Sequence, residues 1–159
     1  MTTLEAARQG IITELMEQAA VAEGIAAETL RQRIAEGTAV ICRNRRHLHG
    51  TPLAVGLGLR TKVNANIGTS RDDTSIDKEL EKARVAVAAG ADAIMDLSTG
   101  GPIDEIRRAV IKETGACIGS VPLYQAAVDT VMHKQKAMVD MTADEIFAGI
   151  VKHLEDGVD

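Results

Sequence analysis

The segment that decides the fold is residues 61–97, TKVNANIGTSRDDTSIDKELEKARVAVAAGADAIMDL. It begins with a strand-like run at 61–67, continues as a helical pattern at 75–89 that ends at Gly90, and finishes with a buried, strand-like run at 93–97. A helix between two strands is typical of the right-handed crossover that joins parallel strands. The segment therefore predicts an α/β sheet or barrel.

The same alternation continues to the last residues of the chain. Residues 103–113 have a helical pattern, residues 116–123 a strand pattern, and residues 142–154 again a helical pattern. Three such units are too few to close a (β/α)8 barrel of about 250 residues. We expect residues 59–159 to be the first part of a truncated barrel, with residues 157–159 leading into a fourth strand.

The first part of the chain predicts a small helical amino-terminal region. Apolar residues recur at helical spacing over 4–22 and again over 26–35, and residues 38–42 are apolar enough for a strand. Residues 43–58 are rich in Arg, His, Gly and Pro, which indicates an irregular connection. We therefore expect residues 1–58 to be this region with its connection, and the barrel to begin near Leu59.

Composition and charge argue against several classes of function. The net charge is -5, and the one basic cluster, residues 43–47, is too short for a nucleic-acid surface. The amino terminus lacks the pattern of a signal peptide, and no apolar run approaches the roughly 20 residues that span a bilayer. A cytoplasmic protein without a nucleic-acid or membrane partner is the expectation.

The cysteines and histidines do not predict a metal site. Cys42 and Cys117 lie far apart without a CxxC pair, so we interpret them as buried, reduced thiols. The four histidines, which include no i, i+4 pair, do not have the spacing of a zinc site; they are His47, His49, His133 and His153. Dinucleotide, Walker and GxSxG motifs are also missing from the sequence.

Three evenly spaced residues, Asn66, Met95 and Tyr124, follow or end the three predicted strands. Functional residues of a parallel barrel lie at the carboxyl ends of its strands, so we expect all three on one rim. The Tyr124 ring could stack on a heterocycle while its hydroxyl makes a hydrogen bond. The alternatives are a turn-forming Asn66, a core Met95 and a regularity that comes from the repeating fold alone.

The residues around these three leave two interpretations open. In the loop at 98–102, either Ser98 or Thr99 caps the next helix, or the exposed N–H groups bind an anion. The acidic pairs Glu79/Glu81 and Asp104/Glu105 lie beside Lys and Arg, which favours a solvated, ion-paired helix face over acid–base catalysis.

Three segments of this chain resemble the phosphomethylpyrimidine synthase family. They are residues 56–68 (GLGLRTKVNANIG), residues 94–101 (IMDLSTGG) and residues 119–126 (GSVPLYQA), in this order and spacing. The resemblance covers nearly the whole chain. It implies a (β/α)8 barrel preceded by an amino-terminal domain and followed by a helical region.

The resemblance also implies a function for the full-length protein. The family uses a [4Fe–4S] cluster and S-adenosylmethionine to convert aminoimidazole ribotide to hydroxymethylpyrimidine phosphate in thiamine biosynthesis. It also binds zinc and forms homodimers. By the resemblance, Asn66, Met95 and Tyr124 bind the ribotide substrate, and none of them is assigned a catalytic step.

The family's cluster cysteines, zinc-binding histidines and remaining substrate loops have no counterpart up to Asp159, so this chain is expected to be inactive alone. One alternative is the hydroxybenzimidazole synthase paralogue of anaerobic cobamide biosynthesis, which resembles this sequence and uses the same ribotide. Its strand carries Glu where this chain has Asp96, which favours the pyrimidine product. A second alternative is a non-catalytic, truncated relic.

Overall fold

The fold consists of two compact units. A computed structural model describes residues 1–159, the side chain of His133 excepted. The first unit comprises Met1–Arg43 and Thr51–Lys62, and the second comprises Asn44–Gly50 and Val63–Asp159. None of the helices described is long and apolar enough to cross a membrane.

The first unit packs three helices with a two-stranded hairpin. The helices are α1 (Thr3–Arg8), α2 (Glu14–Glu23) and α3 (Ala27–Ala35), and the antiparallel strands are β1 (Ala39–Cys42) and β2 (Leu53–Gly56). Its core contains mainly small and aliphatic side chains, among them Met16, Leu30 and Ile34. Strand β1 was predicted, whereas β2 lies within the segment expected to be irregular.

The single helix predicted over residues 4–22 is wrong, because the chain breaks between α1 and α2. Gly10 adopts a φ of 78°, a left-handed conformation that a helix cannot continue. Thr13 then caps α2, since its hydroxyl accepts a hydrogen bond from the N–H of Met16. The apolar spacing is the same on both sides of this break, so periodicity alone did not reveal it.

The second unit contains a three-stranded parallel sheet in the order β3-β4-β5, as predicted. The strands are β3 (Asn64–Ile67), β4 (Ala93–Asp96) and β5 (Cys117–Ser120). The connections contain α4 (Ile76–Ala88) and α5 (Ile103–Glu113), and Ser75 caps α4. The mixed α/β arrangement is thus confirmed, although the described residues form no closed barrel.

Two helices follow the last strand. Helix α6 (Pro122–Val128) begins directly after β5 and continues into a π-helical turn at Asp129–His133; a 3-10 turn, Met138–Asp140, then precedes α7 (Ala143–Asp156). Helix α7 begins with a capping box in which Thr142 and Glu145 satisfy each other's backbone N–H groups. This agrees with the helix predicted over residues 142–154.

The last residues lie beside β5 and are held by a buried carboxylate. The N–H of Asp159 donates to the carbonyl of Ile118 at 2.9 Å. The Asp159 side chain accepts from the N–H groups of Ile118 and Asn44 and from Nδ1 of His47. Nε2 of His47 lies 2.8 Å from the carbonyl oxygen of Thr114, so the imidazole connects Asp159 to the segment that precedes β5.

Candidate functional site

The two faces of the parallel sheet have different roles. Side chains alternate across a strand, so Ile67, Ile94 and Ile118 share one face and join the buried apolar cluster that α4 and α5 cover. The opposite face carries Asn66, which is exposed, and Met95, which is partly buried. This second face lacks the large buried aliphatic side chains of the first, and so offers polar and thioether groups to a ligand.

Asn66 and Met95 are direct neighbours on this face. Each is the third residue of a four-residue strand, and the two are register partners in the parallel ladder between β3 and β4. Adjacent strands lie about 4.8 Å apart, so the backbone positions of Asn66 and Met95 are neighbours near the carboxyl edge of the sheet. The structure therefore brings these two predicted site residues together.

Gly119 continues this row on β5 and makes room for the Met95 side chain. It is the register partner of Met95, and a Cβ atom built on Gly119 would lie 2.9 Å from Cε and 3.1 Å from Sδ of Met95. Gly119 does not have a positive φ, so the backbone does not require glycine there. The thioether of Met95 thus lies across the glycine, and residue 119 controls its position.

We expect Gly119→Ala to fold normally while displacing the Met95 side chain. The atoms that must move are the flexible end of a methionine, so the free energy of unfolding should change by less than about 1.5 kcal/mol. The NMR signal of a 13C-labelled Met95 methyl group should shift. Gly149→Ala on α7, where the new Cβ makes ordinary contacts of 3.5 Å or more, should leave that signal unchanged. An unshifted Met95 signal in Gly119→Ala would contradict this packing.

Tyr124 lies in a helix and not at a strand end. Strand β5 stops at Ser120, and Tyr124 is in the first turn of α6, so the strand predicted over 116–123 is too long. Pro122 occupies a first-turn position of the helix, where a backbone N–H would have no intrahelical acceptor, so its absence costs no hydrogen bond. Since α6 starts at the carboxyl end of β5, Tyr124 remains at this end of the sheet, with 47% of its surface exposed.

The loops after β3 and β4 are connected by hydrogen bonds. The Thr69 N–H donates to the Ser98 hydroxyl at 3.1 Å, and the Thr69 hydroxyl donates to the Gly100 carbonyl at 2.6 Å. Gly68 has a φ of 145°, and a Cβ there would lie 2.6 Å from the backbone of Leu97. Glycine is therefore required at this position by both conformation and contact.

Ser98 and Thr99 do not cap α5. The residue at the cap position is Pro102, which makes no capping side-chain hydrogen bond. Instead, the first turn carries the carboxylates of Asp104 and Glu105, which complement the positive end of the helix.

Asp96 faces the helices and is not directed to the face that carries Met95. It is 5% exposed, and its Oδ1 accepts from the N–H and the hydroxyl of Ser98 at 3.0 and 2.5 Å. Burial raises the pKa of this carboxyl group, although the hydrogen bonds from Ser98 oppose the rise. Asp96 therefore shapes the loop that follows β4.

Glu79 does not belong to a solvated face, which corrects that interpretation. It is 3% exposed, accepts from the N–H of Gly68 at 2.8 Å, and pairs with Lys82 at 2.5 Å. Glu81 and Glu105 are exposed as expected, whereas Asp104 is only partly exposed and takes part in a buried cluster.

Sequence reasoning missed this buried polar cluster, which lies between β5 and helices α5, α6 and α7. We call it the Arg107 cluster, and its members are Ser120, Asp104, Arg107, Gln125, His153 and Asp156. Arg107 is the largest fully buried side chain of the chain. A signal for it exists in the sequence: Arg107 occupies the inward position of α5 beside Ile103, Ile106, Val110 and Ile111.

Each nitrogen of the Arg107 guanidinium group has an oxygen partner. Nε and Nη2 donate to Oδ2 of Asp156 at 3.0 and 2.5 Å, Nη2 also donates to Asp104 at 2.6 Å, and Nη1 donates to Oε1 of Gln125 at 2.7 Å. Burial raises the pKa of Asp104, but hydrogen bonds from Gln125, Lys152 and Arg107 outweigh this effect and lower it to about 2. The buried positive charge is therefore fully compensated.

His153 is neutral in this cluster. Its Nε2 lies 2.7 Å from Oε1 of Gln125, and its Nδ1 lies 2.7 Å from the hydroxyl of Ser120. The amide oxygen of Gln125 can only accept, whereas Nη1 of Arg107, which lies 3.0 Å from the same Nε2, can only donate. Burial, and next the positive charge of Arg107, lower the pKa of His153 to about 4.

The histidines that sequence analysis considered do not come together as metal ligands. Over residues 1–159, the side chain of His133 left aside, no group of three His, Cys, Asp or Glu side chains could hold a metal ion. The prediction for His133 lies outside the described residues. Cys117 is buried, whereas Cys42 is partly exposed, so the expectation that both thiols are buried holds only for Cys117.

Comparison with known proteins gives a consistent result. The model of the radical SAM ThiC family matches residues 2–159. The chain is 77% identical to phosphomethylpyrimidine synthase 2 of Syntrophotalea carbinolica and 72% identical to phosphomethylpyrimidine synthase of Geobacter metallireducens, over 100% and 99% of its length. It is 52% identical to the Pyrococcus abyssi phosphomethylpyrimidine synthase over its whole length. The chain spans 36–37% of the length of these relatives.

Proposed function

Because this chain belongs to the radical SAM ThiC family, we propose that it forms the ribotide-binding part of a phosphomethylpyrimidine synthase. The full-length enzyme would convert aminoimidazole ribotide to hydroxymethylpyrimidine phosphate. The observation that carries the proposal is the identity of 77% to a relative of that name over the whole chain. The relatives' names favour the pyrimidine product over the hydroxybenzimidazole product.

The residues of this chain would bind and orient the substrate. On the open face of the sheet, the Asn66 amide can both donate and accept hydrogen bonds, and the neighbouring Met95 thioether offers a polarizable apolar contact. The exposed ring of Tyr124 at the same end of the sheet suits stacking on the imidazole, with its hydroxyl available to a polar group. We propose these three residues as ribotide contacts.

The cluster and the metal would be held elsewhere in the full-length protein. A [4Fe–4S] cluster bound to S-adenosylmethionine supplies the radical chemistry of such enzymes, and its iron is held by cysteine thiolates. This chain has two cysteines, which belong to different compact units. These residues do not fit the cluster, so we propose that the ligands of the cluster and of zinc lie outside residues 1–159.

The remaining parts of the proposal concern the architecture, the location and the oligomeric state. They are that residues 59–159 form the first part of a (β/α)8 barrel, with residues 1–58 as a separate amino-terminal region, and that the full-length enzyme is a cytoplasmic homodimer. The parallel order β3-β4-β5 supports the barrel.

A full-length fusion tests the function. This chain would replace the matching segment of the Syntrophotalea carbinolica relative, and the purified fusion would be assayed anaerobically with a reduced cluster, S-adenosylmethionine and the ribotide. We expect hydroxymethylpyrimidine phosphate as the product. A fusion with an intact cluster that neither binds nor converts the ribotide would disprove the proposal.

Tyr124→Phe in this fusion should weaken ribotide binding by about 0.5–3 kcal/mol, the range for a lost hydrogen bond to a polar or charged partner. Titration calorimetry would measure the ribotide Kd, and the affinity for S-adenosylmethionine should stay unchanged. Phe147→Leu is the control, since Phe147 is the only other aromatic residue and lies exposed on α7. Equal ribotide Kd values for Tyr124→Phe and the parent would remove Tyr124 from the site.

A further inference from the structure

Helix α6, which carries Tyr124, makes side-chain hydrogen bonds with residues of α5 and α7. The helix has seven residues, and its start has no capping side-chain hydrogen bond. The buried apolar cluster of the second unit contains no residue of α6. Its buried side chains are Gln125 and Ala126, at 6% and 7% exposure. A short helix without a large apolar anchor depends on its remaining contacts for a fixed orientation.

Gln125 makes the polar contacts that fix this orientation. Its Oε1 accepts from Nη1 of Arg107 at 2.7 Å and lies 2.7 Å from Nε2 of His153, while its Nε2 donates to Asp104 at 2.7 Å. One amide therefore connects α6 to α5 and to α7. Arg107, fully buried and bound to Asp156 at its other edge, holds the acceptor side of this amide in place.

The neighbouring residue in sequence is Tyr124, which points elsewhere. Successive helical residues are separated by about 100° around the axis, so the buried amide and the half-exposed ring leave the helix in different directions. Rotation of α6 about its axis would break the three contacts of Gln125. The same contacts therefore limit the directions in which the Tyr124 ring can point.

We propose that Gln125, held by Arg107, is the positioning residue for Tyr124 in ribotide binding. Gln125 does not touch the substrate in this proposal. It fixes α6 so that the Tyr124 ring is preorganised before the ribotide arrives, which lowers the entropy lost on binding. The inference rests on the proposed function, because it takes Tyr124 as a ribotide contact.

A double-mutant cycle in the full-length fusion tests this inference. The variants are Gln125→Met, which keeps the length of the side chain and removes its hydrogen bonds, Tyr124→Ala, and the two combined. Gln125→Met should raise the ribotide Kd about tenfold when Tyr124 is present and less than about twofold in the Tyr124→Ala background. The Kd for S-adenosylmethionine should not change in any variant.

Two further variants separate positioning from a general loss of stability. Ile111→Ala removes a buried side chain from the apolar cluster and should lower the Tm without changing the ribotide Kd. Arg107→Lys keeps the charge but loses the planar set of N–H donors of the guanidinium group. It should therefore raise the ribotide Kd, as Gln125→Met does. These variants keep the test decisive if Gln125→Met folds poorly.

The outcomes distinguish the inference from the proposed function. Failure of the parent fusion to bind the ribotide would overturn both. If the parent binds but Gln125→Met and Tyr124→Ala act additively, or if Ile111→Ala raises the Kd as much as Gln125→Met, only the positioning role is overturned.

Discussion

Arg107→Met is expected to lower the free energy of unfolding by about 3–5 kcal/mol, the cost of removing one partner from a buried ion pair. Arg107 is fully buried, and the side chain of Asp156, which it contacts through two nitrogens, is only 13% exposed. Methionine would fill much of the space but leave Asp156 without its main donor and Asp104 with one donor fewer. Urea denaturation followed by circular dichroism would measure the loss.

The neighbouring Arg108 is a matched control for this prediction. It contacts the same Asp156 carboxylate at 3.4 Å but is 51% exposed, so Arg108→Met should cost less than about 1 kcal/mol. Adding Asp156→Leu to Arg107→Met should recover part of the lost stability, because the unpaired buried carboxylate is then removed as well. Equal effects of the two arginine substitutions would contradict this account of the Arg107 cluster.

The second large effect is a loss of stability below neutral pH that depends on His153. The pKa of His153 is lowered from 6.5 to about 4 in the folded protein, so the unfolded chain binds a proton in this range while the folded protein does not. Stability contributed by the neutral ring is therefore complete above pH 6.5 and falls as the pH drops towards 4. The slope approaches about 1.4 kcal/mol per pH unit, and the total is at most about 3 kcal/mol.

His153→Gln isolates this contribution, because it removes the titrating ring and keeps hydrogen-bonding groups. The raised pKa of Asp96 acts in the opposite direction, since its folded state holds a proton more tightly than the unfolded chain. The quantity to compare is therefore the difference in unfolding free energy between His153→Gln and the parent at several pH values between 4 and 7. A difference that does not vary with pH, or an NMR titration that protonates His153 near pH 6.5, would show that the ring is not held neutral.

Much of the second unit could be predicted from the sequence, because its signals are local. Helix α4 ends next to Gly90, and the alternating and apolar runs around Asn64–Ile67 and Ala93–Asp96 are both strands. Parallel pairing then follows from chain order and crossover geometry, which makes Asn66 and Met95 neighbours. Their assignment to the ribotide came from the family resemblance.

The errors occurred where distant contacts decide the structure. Pro122 suits both the end of a strand and the first turn of a helix, and the contacts of Gln125 with Arg107 and His153 are made only after the chain folds. The charged neighbours of Glu79 in the sequence suggest a surface residue. It is buried because its carboxylate accepts a hydrogen bond from the N–H of Gly68, a contact that forms only when the chain folds. Most contacts of the Arg107 cluster join residues between 18 and 49 positions apart, so the helical pattern of α5 indicates a buried Arg107 but not its partners on α6 and α7.

The two faces of the sheet bear on how such a protein can change during evolution. Substitutions at Asn66, Met95 or Gly119 affect the open face, whereas Ile67, Ile94 and Ile118 maintain the core. Selection for a new substrate can therefore act on the first set with little loss of stability. Tyr124 is different, because its direction depends on Gln125 and Arg107 in the interior. Divergence of paralogues should be easiest on the strands and slowest at α6.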